Sequence, residues 1–206
     1  MRIIHYFFLA ILCLSLFSCG KGLTTGEKSV IHSADEHTPF RVLITTNKED
    51  SVFLRQKNKD INLKKDKEDV SYLVKRMKET LEKEQGVGIA APQIGIGRNI
   101  FLFMRIDKEG EPVEVAINPK IISHSEEMVC FERDGCLSIP DDWGNTTRYK
   151  WIEVEYQNEN GEKIREHLKG HSRNDDFTGV IFQHEYDHLN GVLFIDKLCE
   201  SNSQEE

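Results

Sequence analysis

The chain has 206 residues, 38% of them hydrophobic, enough for one domain of ordinary size with a proper buried core. Its formal net charge of −8 argues against nucleic acid as a partner, because phosphate binding wants a basic face. Lysine-rich stretches such as "KNKDINLKKDKEDV" (57–70) alternate in sign and read as solvated surface, and the sequence shows no internal repeat and no long low-complexity tract.

The first residues differ from the rest. Arg2 precedes an apolar run from Ile3 to Phe17 that is broken only by His5 and Ser15. A membrane span needs about 20 apolar residues, so this run is short for one; a charged start, a short apolar core and small residues behind it describe an export signal. The run ends in "LFSCG", which resembles a bacterial lipoprotein processing site, with Leu16, Ser18 and Cys19 in order and Phe17 bulkier than usual at its position. That resemblance implies a signal peptide over 1–18 and Cys19 as a lipidated first residue, anchoring the protein to a membrane of the bacterial cell envelope. An uncleaved anchor, or a buried apolar helix in a cytoplasmic protein, is the alternative. Residues 19–39 lack a sustained apolar period and are rich in Gly, Ser, Thr and charge, the composition of a flexible tether. A folded domain is expected over 40–199, with an acidic tail at 200–206.

Along that domain, "DKEDVSYLVKRMKETLEKEQG" (66–86) places Val70, Leu73, Val74, Met77 and Leu81 at helical spacing. Asp66 or Asp69 would cap its start and Gly86 its stop. Segments 99–106, 113–118, 151–156 and 163–168 read as strands, and "QNENGE" between the last two is the turn of a hairpin. Helical spacing returns around Val180, Ile181, His184 and His188. A helix, a series of strands and a late helix make the class α+β.

That late helix carries the chemistry. In "QHEYDHLNG" (183–191), His184 and His188 are four apart and share one helical face, with Glu185 beside them. Solvated histidines on an exposed helix would be the plain alternative. The apolar residues flanking the pair in "FQHEYDHL" argue instead for two metal ligands, with Asp187 of a type that orients a ligand from behind. A third ligand is then needed. Downstream of His188 stand Asp196, Cys199 and Glu200 but no histidine, so an upstream ligand is the better prospect. Cys136, in "ERDGCLSIPDDWG" (132–144), would suit a soft divalent metal as a thiolate, although a lone cysteine is ordinarily a small buried hydrophobe. Cys130, Cys136 and Cys199, the cysteines of the domain, are odd in number, which rules out a complete disulfide framework.

"GVGIAAPQIG" (86–95), "DGCLS" (134–138) and "QHEYDHLNG" resemble, in order and approximate spacing, the three signature segments of peptide deformylases, and the resemblance spans roughly 51–198. It implies Cys136, His184 and His188 as ligands of one divalent metal ion, typically Fe2+ and replaceable by zinc, nickel or cobalt. It implies Glu185 as the general base and acid, with the Gln93 side-chain amide and the Leu137 backbone N–H as donors to the oxyanion. The substrate would be a formylated peptide N-terminus. Its backbone would run beside Gly86 and Gly88, where a missing side chain permits close approach. Val87, Phe177, Val180 and Ile181 match positions that line the pocket for the first side chain, usually methionine.

The sequence departs from the family pattern at several points. Asp134 stands for the usual glutamate, with Arg148 as a partner, and Trp143 stands where many members carry an arginine. The segment "GHSRNDDFTG" (170–179) is longer and more polar than usual. Export would separate the enzyme from nascent chains, make zinc the more plausible occupant and allow Cys130 to pair with Cys199. A zinc endopeptidase using only the histidine motif, and a non-catalytic envelope protein that binds capped peptides, are the competing readings.

Overall fold

The structure is a computed structural model and describes residues 22–200. The expected signal segment, Cys19 and the tail from 201 onward lie outside the described residues.

The described chain runs α1 (Thr25–Ile31), α2 (Lys48–Leu54), α3 (Leu63–Glu84), β1 (Gly88–Ala90), β2 (Ile100–Met104), β3 (Val113–His124), β4 (Met128–Cys136), β5 (Ile139–Tyr149), β6 (Trp151–Gln157), β7 (Lys163–Lys169) and α4 (Thr178–Leu189). Five strands form an antiparallel sheet in the order β1-β2-β3-β6-β7, and β4 and β5 form a separate two-stranded hairpin. The α+β class is as expected.

The period of two in β2 builds the core. Ile100 and Leu102 face Val70, Leu73, Val74, Met77 and Leu81 of α3, while Phe101 and Phe103 face Ile181, Phe182 and Leu189 of α4. The sheet is thus covered by α3 on one face and α4 on the other. Phe182 is fully buried, its ring edge-on to Phe101 and Phe103 at 4.8 and 5.3 Å between centroids. This contact holds α4, and the metal-binding motif it carries, against the sheet.

Three expectations need correction. Asp69 does not cap α3, and although the helix runs from Leu63 after Asn62, it breaks at Asp66, whose φ of −118° and ψ of 20° are non-helical. Asp66 accepts from the Leu23 backbone N–H (3.0 Å), and Asp69 holds Lys28 and His32, both at 2.7 Å. The helix ends one residue before the expected stop, because Gln85 takes the left-handed conformation (φ 53°) ahead of Gly86.

The tether is the second correction: from residue 22 onward the chain is folded. Thr24 and Glu27 form a reciprocal cap on α1, Ile31 is fully buried against α3, and Arg76 binds the Ile31 and Thr38 carbonyls (2.8 Å each) while its guanidinium lies 3.8 Å from the centre of the Phe40 ring. The polar composition hid this, because the polar side chains of the segment are spent on partners far along the chain, Glu27 on Arg98 at 2.6 Å among them.

The third correction is β4–β5, which the sequence did not announce. Both strands are half exposed, and their pairing is interrupted by shifts in register, so no clean apolar alternation is written along them.

Candidate metal centre and active site

α4 is pinned at its start by Thr178, whose N–H donates to Asp176 (2.9 Å) and whose hydroxyl bonds Asp107 at 3.1 Å. From there the helical period carries His184, Glu185 and His188 inward, all three buried. Cys136 arrives from the end of β4, with its Sγ 3.2 Å from His188 Nε2. One ligand atom from each of Cys136, His184 and His188 lies within 4.8 Å of the others, and this is the one such group of potential metal ligands among the described residues. Cys136 forms no disulfide.

These donors fit a divalent transition metal. Buried polar atoms almost always have partners, yet His188 Nδ1 and Glu185 Oε2 are buried without one. A thiolate with two imidazoles is a donor set that soft and borderline divalent ions take, and three protein ligands leave a position open for catalysis.

Behind the ligands sits a buried ion network. Arg148, 1% exposed, binds Asp134 of β4 (2.7 Å) and Asp187 of α4 (2.6 Å) at once. The sequence suggested the Arg148–Asp134 pair; the second carboxylate makes it a clamp between the hairpin and the helix. Asp134 also lies 3.0 Å from His184 Nδ1, where it can set the orientation of that ring.

Charge follows from this arrangement. Burial alone would raise the Asp134 carboxyl, but His184 and Arg148 outweigh it and hold it well below the carboxylate range. Burial pulls the Arg148 guanidinium down and its two carboxylates more than restore it, so it is held above its ordinary value. His184 is desolvated too, yet Asp134 and Cys136 hold its proton tightly, while His188 is pushed well below its ordinary value by burial and by its neighbour His184. Ligand rings must be neutral to bind metal, so a cation and the His184 proton compete for this site. Burial pushes the Glu185 carboxyl up to about 7, which suits a group that takes and returns protons near neutral pH.

Glu185 fits only because Gly88 faces it: a Cβ at Gly88 would collide with the Glu185 carboxylate. Gln93, on the turn that follows β1, has its Oε1 fixed by the Ala90 N–H (2.8 Å), which aims Nε2 at Ser138 Oγ (3.3 Å) and Cys136 Sγ (3.5 Å). These groups surround a cavity of about 400 Å³. Val87, Gly88, Gln93, Cys136, Leu137, His184 and Glu185 line it, and Phe177, Val180 and Ile181 form an apolar wall. His188 stands behind Cys136, 1% exposed.

Every expected site residue within the described chain therefore converges here. Phe131 and Arg173 were missed. The Arg173 guanidinium lies 5.2 Å from the Phe131 ring centre and 5.6 Å from that of Phe177, over the apolar wall. The placing of Arg173 depends on the hairpin, but Phe131, five residues before Cys136 on the same strand, was open to suspicion from sequence.

Comparison with known proteins gives one consistent picture. The sequence model of the family Polypeptide deformylase matches residues 42–204. A peptide deformylase of Pseudothermotoga lettingae is 41% identical over 148 residues, covering 72% of this chain and 78% of that protein. The crystal structure of peptide deformylase from Thermotoga maritima matches with a TM-score of 0.63 at 36% identity, over 80% of this chain and all of the other. A probable peptide deformylase from Synechococcus phage S-SSM7 matches with a TM-score of 0.67 at 34% identity, over 77% of this chain and 99% of the phage protein.

Proposed function

Because this chain belongs to the polypeptide deformylase family, we infer that its cavity hydrolyses the formyl group from peptide N-termini, releasing formate and a free amine. The observation that carries the assignment is the convergence of Cys136, His184 and His188 beside a buried Glu185. A divalent metal held by these three ligands would supply Lewis acidity, which lowers the pKa of a water to about 7.

The remaining work falls to the chain's own residues. Glu185 takes the proton of the attacking water on a carboxylate oxygen and gives it to the amine nitrogen as the formamide C–N bond breaks. Gln93 Nε2 and the Leu137 backbone N–H donate toward the oxygen that gains charge. The peptide extends along Gly86–Gly88, and its first side chain enters between Phe177, Val180 and Ile181, which keep water from the reacting carbon. Upstream Cys136 as third ligand weighs against the endopeptidase reading, and a Glu185 with room to act weighs against a binding-only role.

Zinc is the metal we favour over the family's ferrous iron. The Cys130–Cys199 disulfide belongs to an oxidising compartment, where a thiolate-bound ferrous site is vulnerable and zinc has no redox chemistry. The same disulfide supports export with a lipid on Cys19. Folding from residue 22 leaves almost no tether in that case, so the domain would sit close to the bilayer. No described helix is long and apolar enough to cross a membrane.

Glu185→Ala tests the central role. The variant should bind one zinc as the parent does while formate release falls by about 10²- to 10⁴-fold; unchanged turnover would remove Glu185 from the chemistry.

A further inference from the structure

The metal ligands come from two parts of the fold that share no sheet. Cys136 lies on the β4–β5 hairpin, whereas His184 and His188 lie on α4, which packs on the five-stranded sheet. Strand pairing cannot hold one to the other. Arg148 does so from within; a second device does so from outside.

After α4 the chain turns back and lies across the hairpin. Leu198 bridges to Thr146 of β5, and the Cys199 N–H donates to the Asn145 carbonyl at 2.9 Å. The Leu198 side chain occupies the space over Gly144, where a Cβ would collide with it. Leu193 and Phe194 pack with Ile139 and against Cys136 itself. Lys197 ties the same segment to Asp187 of α4 at 2.8 Å, and Asp196 ties it to Arg55.

The non-covalent hold at the far end is slight. Leu198 is 56% exposed and is held there by its bridge to Thr146 and the Cys199–Asn145 bond. The covalent tie is the disulfide from Cys199 to Cys130 of β4, with the two Cα atoms 6.0 Å apart. The covalent loop it closes contains Cys136, His184 and His188.

We propose that the Cys130–Cys199 disulfide is a positioning element of the metal centre, clamping the hairpin onto α4 so that Cys136 stays within reach of the two histidines. Opening it leaves all three ligands in place chemically but frees the strand that delivers the thiolate, and the metal leaves faster. The inference rests on the metal-site part of the family assignment and not on the reaction.

The test is the rate at which zinc-loaded, full-length protein loses zinc to an excess of chelator, read with a metal indicator. Cys130→Ser/Cys199→Ser should release zinc about tenfold faster than the parent, the scale on which residues that support ligands change metal affinity. Ile31→Ala, which opens a void between α1 and α3 without touching the hairpin or its disulfide, controls for general loosening and should release zinc at the parental rate. A double variant as slow as the parent, or an Ile31→Ala as fast as the double variant, overturns the proposal.

Should the double variant fail to fold, the folded, zinc-loaded parent is treated with a water-soluble phosphine. Each phosphine gains the oxygen of one water as the disulfide becomes two thiols, and the same acceleration is expected; an unchanged rate overturns the proposal. Formate release from a formyl-Met peptide is followed in parallel. Its absence would count against the reaction while leaving the comparison of zinc release intact.

Discussion

A carboxylate that is 4% exposed, packed against a glycine and raised to about 7 by burial, is poised to exchange a proton at neutral pH. At this scale the sequence was informative because the reacting groups lie in three short segments, each with spacing that expresses its chemistry. His184 and His188 share a helical face, and Gln93 follows Pro92 on a tight turn that fixes its amide. Arg173 was illegible for the opposite reason. It lies in a polar segment with no period, and it meets Phe131 only through the hairpin. Gln93 gives the sharpest residue-level expectation. Gln93→Ala should lower kcat by about 10²- to 10³-fold with little change in KM, the signature of a donor that acts on the transition state. Steady-state kinetics on a formyl-Met peptide decides it; a rise in KM alone would make Gln93 a binding residue.

At the scale of elements, α3 was legible since five apolar residues repeat at helical spacing and all five are buried. β4 and β5 were not, because strands exposed on one side and broken in register carry no alternation. α1 was misread as tether because its stability comes from ion pairs with distant partners rather than from its own composition. Arg98 is almost fully buried and binds both carboxylate oxygens of Glu27, at 2.6 and 2.7 Å. Burial would raise the Glu27 carboxyl, but hydrogen bonds from Arg98 and Thr24 lower it below its ordinary 4.5. A depressed carboxyl stabilises the fold fully above its unfolded pKa, and that stabilisation is lost as pH falls through the folded value. Glu27→Gln should therefore cost about 1–2 kcal/mol at pH 7, because Arg98 is buried but Glu27 only partly so and solvent screens the pair. The gap should narrow below pH 4.5, as the parent loses the same charge. Urea unfolding of both proteins at pH 7 and in acid tests this; a gap independent of pH would mean that the charge of Glu27 does not bear on stability.

The whole molecule places one sheet between α3 and α4 and hangs the metal-ligand hairpin outside it, secured by Arg148 within and a disulfide without. Pattern reading reached the class and the order of the main elements. It could not reach the hairpin's attachment, which depends on residues 39 positions apart for Arg148 and Asp187 and 69 apart for the cysteines. Location is a property of the intact chain. Cys19→Ala should move the protein from the membrane fraction to the soluble fraction and abolish incorporation of labelled lipid; parent protein that is soluble and unlipidated would end the anchored reading.

The most direct measurement of the enzyme itself is formate release from a formyl-Met tripeptide by the zinc-loaded protein, with an internal-peptide substrate assayed beside it. Formate should appear in proportion to bound metal, with no internal cleavage. Cleavage of the internal peptide, or no formate with zinc, nickel, cobalt or ferrous iron bound, would contradict the assignment.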